Sequence, residues 1–180
     1  MRRLLVVSAL LVTALAPCAA QAPEPANWRV ALAQTLPLLG HRNWILIVDS
    51  AYPLEVAPGI ETVETGAPEL EVVRTVLADL AHSRHVQPYV FMDAELPFVP
   101  EQDAPGVTNY RSEVADLLHG YPLESQPHTE LLGRINQEGA QYHILVLKTA
   151  MAIPYTSVFI RLDCKYWSDD AERRLRAIMH

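Results

Sequence analysis

The sequence predicts one layered α/β/α domain with a mostly buried sheet, preceded by a signal peptide. Three observations predict it. Short continuous apolar runs such as Trp44-Ile45-Leu46-Ile47-Val48 read as strands buried on both faces. Segments with apolar residues at helical spacing alternate with those runs, the pattern of helices layered on a sheet. Finally, Met1-Arg2-Arg3 leads into an unbroken apolar and small-residue stretch from Leu4 to Ala16, then Pro17-Cys18-Ala19-Ala20, the layout of a secretory leader.

That apolar stretch is shorter than the about 20 residues needed to cross a bilayer core. We therefore expect cleavage before Gln21, a periplasmic or secreted product, and no stable membrane insertion afterwards. Residues 1–20 are assigned as the leader, 21–27 as a linker rich in Pro and Ala, 28–163 as the domain and 164–180 as a helical tail.

From Trp28 to Leu39, Val30, Leu32, Leu36 and Leu39 fall near helical spacing, Pro37 disturbs the last turn and Gly40 supplies a stop. The strand Trp44 to Val48 follows and ends at Asp49. Residues 50–59 hold Pro53 and Pro58 and read as loop, and Ile60 to Thr65 alternates as a second short strand. Pro68 suits the first turn of a helix running to about His82, with Leu70, Val73, Val76, Leu77 and Leu80 as its buried face. Tyr89 to Met92 is another buried strand, and Leu96 to Gly106, with three prolines, is irregular. Thr108 to Leu118 is expected as helix, Gly120 to Pro127 as loop, and Thr129 to about Ala140 as helix. Ile144 to Leu147 and Val158 to Ile160 are the last strands, and Asp169 to Ile178 closes the chain as an amphipathic helix.

The formal charge of −7 becomes −9 once Arg2 and Arg3 leave with the leader. An acidic domain without clustered Lys and Arg is a poor partner for nucleic acid. Cleavage also removes Cys18, so Cys164 is left as the single thiol and no internal disulfide can form.

The strongest local feature is Gly40-His41, then a buried strand, then Asp49-Ser50-Ala51-Tyr52-Pro53. The carboxyl ends of buried strands are where α/β folds place ligands. Two plainer roles stand beside this one. Asp49 is also a good turn former, and a histidine just past a helix is a favourable dipole partner. Asp49 stands eight positions after His41, up to about 26 Å along a straight strand. Either the chain bends before Trp44 or the two serve a site shared between subunits.

These motifs resemble the RbsD/FucU family of D-ribose pyranases and L-fucose mutarotases. Its members carry a helix ending in Leu-x-x-Gly-His or Met-Gly-His, a buried strand, and Asp-Ala-x-x-Pro; here Leu38-Leu39-Gly40-His41 and Asp49 to Pro53 stand at the same spacing. The family's Tyr-(Ala/Gly)-Asn triplet before the last strand is matched by Tyr155-Thr156-Ser157 after Pro154, with serine replacing asparagine. A basic residue at the start of the preceding helix is matched by His128, with Arg134 as the competing candidate, across an interval longer than the family's. The resemblance spans about Ala31 to Leu162 and leaves the tail outside.

The resemblance implies a monosaccharide ring isomerase, a mutarotase or pyranase that opens and recloses the hemiacetal by acid/base proton transfer without a cofactor or metal. It implies His41 as the general acid/base, Tyr155 as a second proton-transfer residue, and Asp49, His128, Ser157 and Arg134 as contacts to a ribose- or fucose-like sugar. It also implies a homo-oligomer with intersubunit sites. A histidine can carry protons in either direction near neutral pH. The alternative is an exported protein of the same fold that binds monosaccharides or assembles without catalysis. His82 and His85 lie three apart, but no third metal ligand accompanies them. Gly-rich phosphate loops and the Gly-x-Ser-x-Gly elbow are absent from the sequence, so nucleotide-dependent and serine-hydrolase readings have no footing.

Overall fold

The computed structural model describes residues 27–179; the expected leader and most of the linker lie outside them. Helix α1 (Trp28–Thr35) starts at Asn27, whose side chain accepts the Arg29 amide, and tightens into a 3-10 turn, Leu36–Leu38, at Pro37. The fold continues as β1 (Trp44–Val48), β2 (Ile60–Glu64), α2 (Glu69–His82), β3 (Val86–Asp93), α3 (Val107–Leu118), β4 (Leu123–Gln126), α4 (His128–Gly139), β5 (Ile144–Lys148), β6 (Val158–Cys164) and α5 (Asp169–Ile178).

The strands form one six-stranded sheet in the order β2-β5-β1-β6-β3-β4. β1, β2 and β5 pair in parallel, as do β3 and β4, while β6 runs antiparallel to both β1 and β3. Five strands thus end at one edge of the sheet, where the sixth begins. That edge collects Asp49, Asp93 and His128 from strand ends and Ser157 from the start of β6.

Every residue of β1 is buried, as its unbroken apolar run requires. Ile45 and Ile47 face a core built with α1, α2 and α3, through residues such as Trp28, Leu32, Val76 and Val114. Trp44, Leu46 and Val48 face the opposite core, closed by Leu131 and Ile135 of α4. Helices therefore cover both faces. Each such aliphatic side chain taken from water contributes about 1.5–3 kcal/mol, so this strand anchors both layers. No described helix is long and apolar enough to cross a membrane.

Two expectations change. Residues 120–127, expected as loop, include β4. Its sequence, Leu-Glu-Ser-Gln, has no apolar run because an exposed edge strand buries almost nothing. On α2 the buried face is Glu69, Val72, Val73, Val76, Leu77 and Leu80, with Leu70 only half-buried. The face is rotated so that a glutamate enters the interior.

Candidate functional site

A cavity of about 400 Å³ opens at the edge where the parallel strands end. Two loops wall it. The loop after β1 supplies Asp49, Ser50, Ala51, Tyr52 and Pro53; the loop before β6 supplies Ala152, Ile153, Pro154 and Tyr155; and His128 closes it from the start of α4.

Short-range bonds fix the first loop. Asp49 accepts the Ala51 amide at 2.7 Å through one carboxylate oxygen, a turn held by its own side chain. Lys148, ending β5, donates to the Tyr52 carbonyl at 2.8 Å. The Ser50 amide donates to the Met151 carbonyl, which joins the two loops. Ser157 is fully buried behind the cavity, with its hydroxyl 3.5 Å from the other Asp49 oxygen, at the limit of hydrogen-bond range.

Helix α4 begins after Pro127 without a capping side chain of its own. Glu95 supplies the cap from the β3–α3 connection, both its oxygens lying 3.1 Å from the His128 amide; an acid here also complements the helix dipole. The His128 ring is held from β3, where Nδ1 lies 3.0 Å from Asp93 Oδ1. The Asp93 side chain is wholly buried, and burial pushes its carboxyl up to about 6, against the opposing bond from His128. Once ionised, Asp93 has no hydrogen to give, so Nδ1 must donate. The other ring nitrogen, Nε2, then remains for the cavity. The second Asp93 oxygen is buried without a partner among the described residues.

Tyr155 stands edge-on to the His128 ring, centroids 5.5 Å apart. Its φ of 61° is left-handed. For a bulky side chain that conformation costs on the order of 1–2 kcal/mol, and such strain gathers at functional sites. Behind the cavity Glu69 is completely buried, bonded to Tyr110 and Thr156, and burial pushes its carboxyl up to about 8. Burial also raises the Tyr52 phenol.

Of the residues singled out in the sequence, Asp49, His128 and Tyr155 line one cavity and Ser157 backs it. His41 does not join them within one chain. It is exposed at the opposite edge, ahead of β1, and lines a separate hollow with Gly40, His85, Cys164, Tyr166 and Trp167. The chain does not fold back between Gly40 and Trp44, because the Arg42 amide is bonded to the Leu162 carbonyl at that far edge. Arg134 is also elsewhere. Its guanidinium lies over the Trp44 and Phe91 rings and pairs with Glu138, an arrangement that covers the α4-side core.

Asp93 and Glu69 escaped sequence reasoning. Asp93 carried a usable signal, since it follows the apolar run Tyr89 to Met92 just as Asp49 follows Trp44 to Val48. Glu69 carried none, because an acid in the first turn of a helix ordinarily faces water.

No protein-family model matches the chain, and no curated protein matches it. Solved structures do. RbsD from Bacillus subtilis, complexed with D-ribose, superposes with a TM-score of 0.51 at 21% identity, over 73% of this chain and 89% of that one. The fucose mutarotase from Streptococcus pneumoniae, in complex with L-fucose, gives a TM-score of 0.51 at 18% identity, over 76% and 94%. The chain has the RbsD/FucU-like fold.

Proposed function

We propose that this protein is a monosaccharide ring isomerase of the mutarotase or pyranase type, acting outside the cytoplasm after loss of its leader. One observation carries the reading: an oriented imidazole, a carboxylate and a strained tyrosine converge on one small cavity at the carboxyl edge of the sheet. Opening a hemiacetal removes a proton from the anomeric hydroxyl and delivers one to the ring oxygen; closing reverses both transfers. His128, with Nδ1 held by Asp93, presents Nε2 for one transfer. Tyr155 is placed for the other, and Asp49 accepts hydrogen bonds from sugar hydroxyls. The two fold neighbours, in complex with D-ribose and L-fucose, support a free monosaccharide as substrate.

His41 enters this reading from a second copy of the chain. Within one chain it faces away from the cavity, so a catalytic His41 requires a homo-oligomer in which the edge bearing it meets the cavity of a neighbour. Ser157, in place of the amide the family carries, leaves a shorter hydroxyl behind Asp49 and alters sugar preference. The second reading, sugar binding without catalysis, is favoured by that same serine, which reaches Asp49 only at 3.5 Å.

Exchange NMR on ribose, fucose and galactose decides between the readings. The expected result is faster interconversion of anomers or ring forms with wild type than with buffer, lost in His128→Ala. No acceleration for any of these sugars, with saturable binding in the same samples, would replace the isomerase by the binding protein.

A further inference from the structure

Glu69 has no part in the proton transfers above, yet it sits directly behind the residues that make them. Its two oxygens, the Tyr110 hydroxyl and the Thr156 hydroxyl form one closed network. Tyr110 Oη is 2.8 Å from Glu69 Oε1 and 2.7 Å from the Thr156 carbonyl. Thr156 Oγ1 is 3.0 Å from Glu69 Oε2 and 3.0 Å from the Ile153 carbonyl. With Glu69 ionised, two hydroxyl hydrogens must serve two carbonyls and both carboxylate oxygens, and a charge is left where no water reaches. With Glu69 neutral, its own hydrogen donates to Tyr110, Tyr110 donates to the Thr156 carbonyl, and the Thr156 hydroxyl donates to the free Glu69 oxygen or to Ile153. Hydrogen counting thus favours the acid, since a half-satisfied buried network is costly.

The charges facing this group act the same way. Asp49 at the end of β1 and Asp93 at the end of β3 both disfavour a further negative charge, while Tyr110 from α3 and Thr156 from the loop before β6 supply the opposing hydrogen bonds. Thr156 lies between Tyr155 and Ser157. Whatever holds Thr156 therefore sets the left-handed Tyr155 and the serine behind Asp49.

We propose that Glu69, as a neutral buried acid, is a positioning residue for the sugar site, tying the Tyr155–Ser157 edge to α2 and α3 and releasing it when the proton is lost. The inference rests on the isomerase reading for its catalytic consequence, but its structural core does not. Ionisation would leave a charge that the network cannot satisfy, so Thr156 shifts and the lip of the cavity shifts with it.

Two readouts test this. In the first, ring resonances of isotope-labelled tyrosine are followed by NMR from about pH 6 to about pH 10, with Tyr155→Phe assigning the signal. Wild type is expected to show a Tyr155 shift with a midpoint near the value of about 8 reached by Glu69, absent in Glu69→Gln, whose amide keeps both contacts without ionising. A Tyr155 signal unmoved across that range, or moving identically in Glu69→Gln, overturns the proposal even if Glu69→Leu fails to fold. In the second, kcat/KM for ring exchange is measured against pH. Glu69→Gln is expected within about threefold of wild type at neutral pH and without the alkaline decline, whereas Glu69→Leu falls by up to about a hundredfold through misplacement of the site. A Glu69→Gln loss as large as that of Glu69→Leu overturns the positioning role. Absence of catalysis in wild type overturns the isomerase reading alone, and the tyrosine titration then decides this one.

Discussion

The two edges of the sheet are built by different physics. At the carboxyl edge, Asp93 and Glu69 are driven into the interior, their carboxyls are raised by burial, and their bonds lead to His128 and to Thr156 beside Tyr155. At the amino edge His41 stands exposed, beside an exposed Tyr166 and Trp167. The left-handed non-glycine residues among those described are Tyr155 and Arg42, one on each edge. Arg42 turns the chain beside His41, and its side chain reaches Tyr142. A single chain therefore gathers buried, hydrogen-bonded acids at one edge and leaves the other presented outward. The difference teaches that the cavity can be tested within a chain, whereas His41 must be tested between chains.

The largest effect expected is at the organised edge. His128→Ala should lower the ring-exchange rate by about 10²–10⁴-fold, and Asp93→Asn should lower it less, because the amide still holds the ring but can select the wrong tautomer. Both are read by exchange NMR at saturating sugar. Wild-type rates in His128→Ala would remove that edge from the chemistry.

His41→Ala sharpens the comparison. If the amino edge of one copy completes the cavity of another, this variant loses up to about a hundredfold, and mixing dissociated His41→Ala and His128→Ala chains restores part of the activity by forming sites with both histidines. An inactive mixture of two inactive variants speaks against a shared site, and a fully active His41→Ala shows that one edge suffices.

Proton linkage separates the edges more gently. Folding raises Asp93 from 3.8 to about 6 and Glu69 from 4.5 to about 8, so the folded chain holds protons that the unfolded chain has released. Their contribution to stability is complete below the unfolded values and is lost as pH rises through about 6 and then about 8. Urea midpoints should therefore fall across that window, and Glu69→Gln should flatten its upper half. Midpoints that rise steadily with pH would contradict the burial of these acids. Deprotonated Asp93 is also the form that accepts from His128 Nδ1, so activity should decline below about pH 6.

The smallest effect belongs to Arg134. Its place over Trp44 and Phe91 predicts a loss of about 1 kcal/mol in stability for Arg134→Ala and no change in sugar turnover. A selective rise in KM would return Arg134 to the proposed sugar site.

Where burial wrote a pattern, the sequence could be read. The apolar run of β1 and the spacing on α2 each mark an element whose bounds fall within a residue or two of expectation. Polar β4 left no such trace, because an edge strand is specified by its neighbour's backbone rather than by its own side chains. The cavity was legible in the same measure. Asp49 was visible as a polar residue at the end of a buried strand, and His128 and Tyr155 only through the resemblance of their motifs, while Glu69 was hidden, because its burial depends on Tyr110 and Thr156, which are 41 and 87 residues away. Nothing local reports that a glutamate will be met by partners so distant.

Strand β6 begins beside Ser157 and ends at Cys164, so one extended segment of seven residues runs from the back of the cavity to the His41 hollow. Cys164 is the one free thiol among the described residues and is only partly buried. It offers a chemical handle on the far side of the sheet, about 20 Å of strand from the pocket. A spin label attached there would stand in the His41 hollow, away from the Asp49, His128 and Tyr155 of its own chain. In any assembly of copies, the spacing between two such labels would record which edges meet.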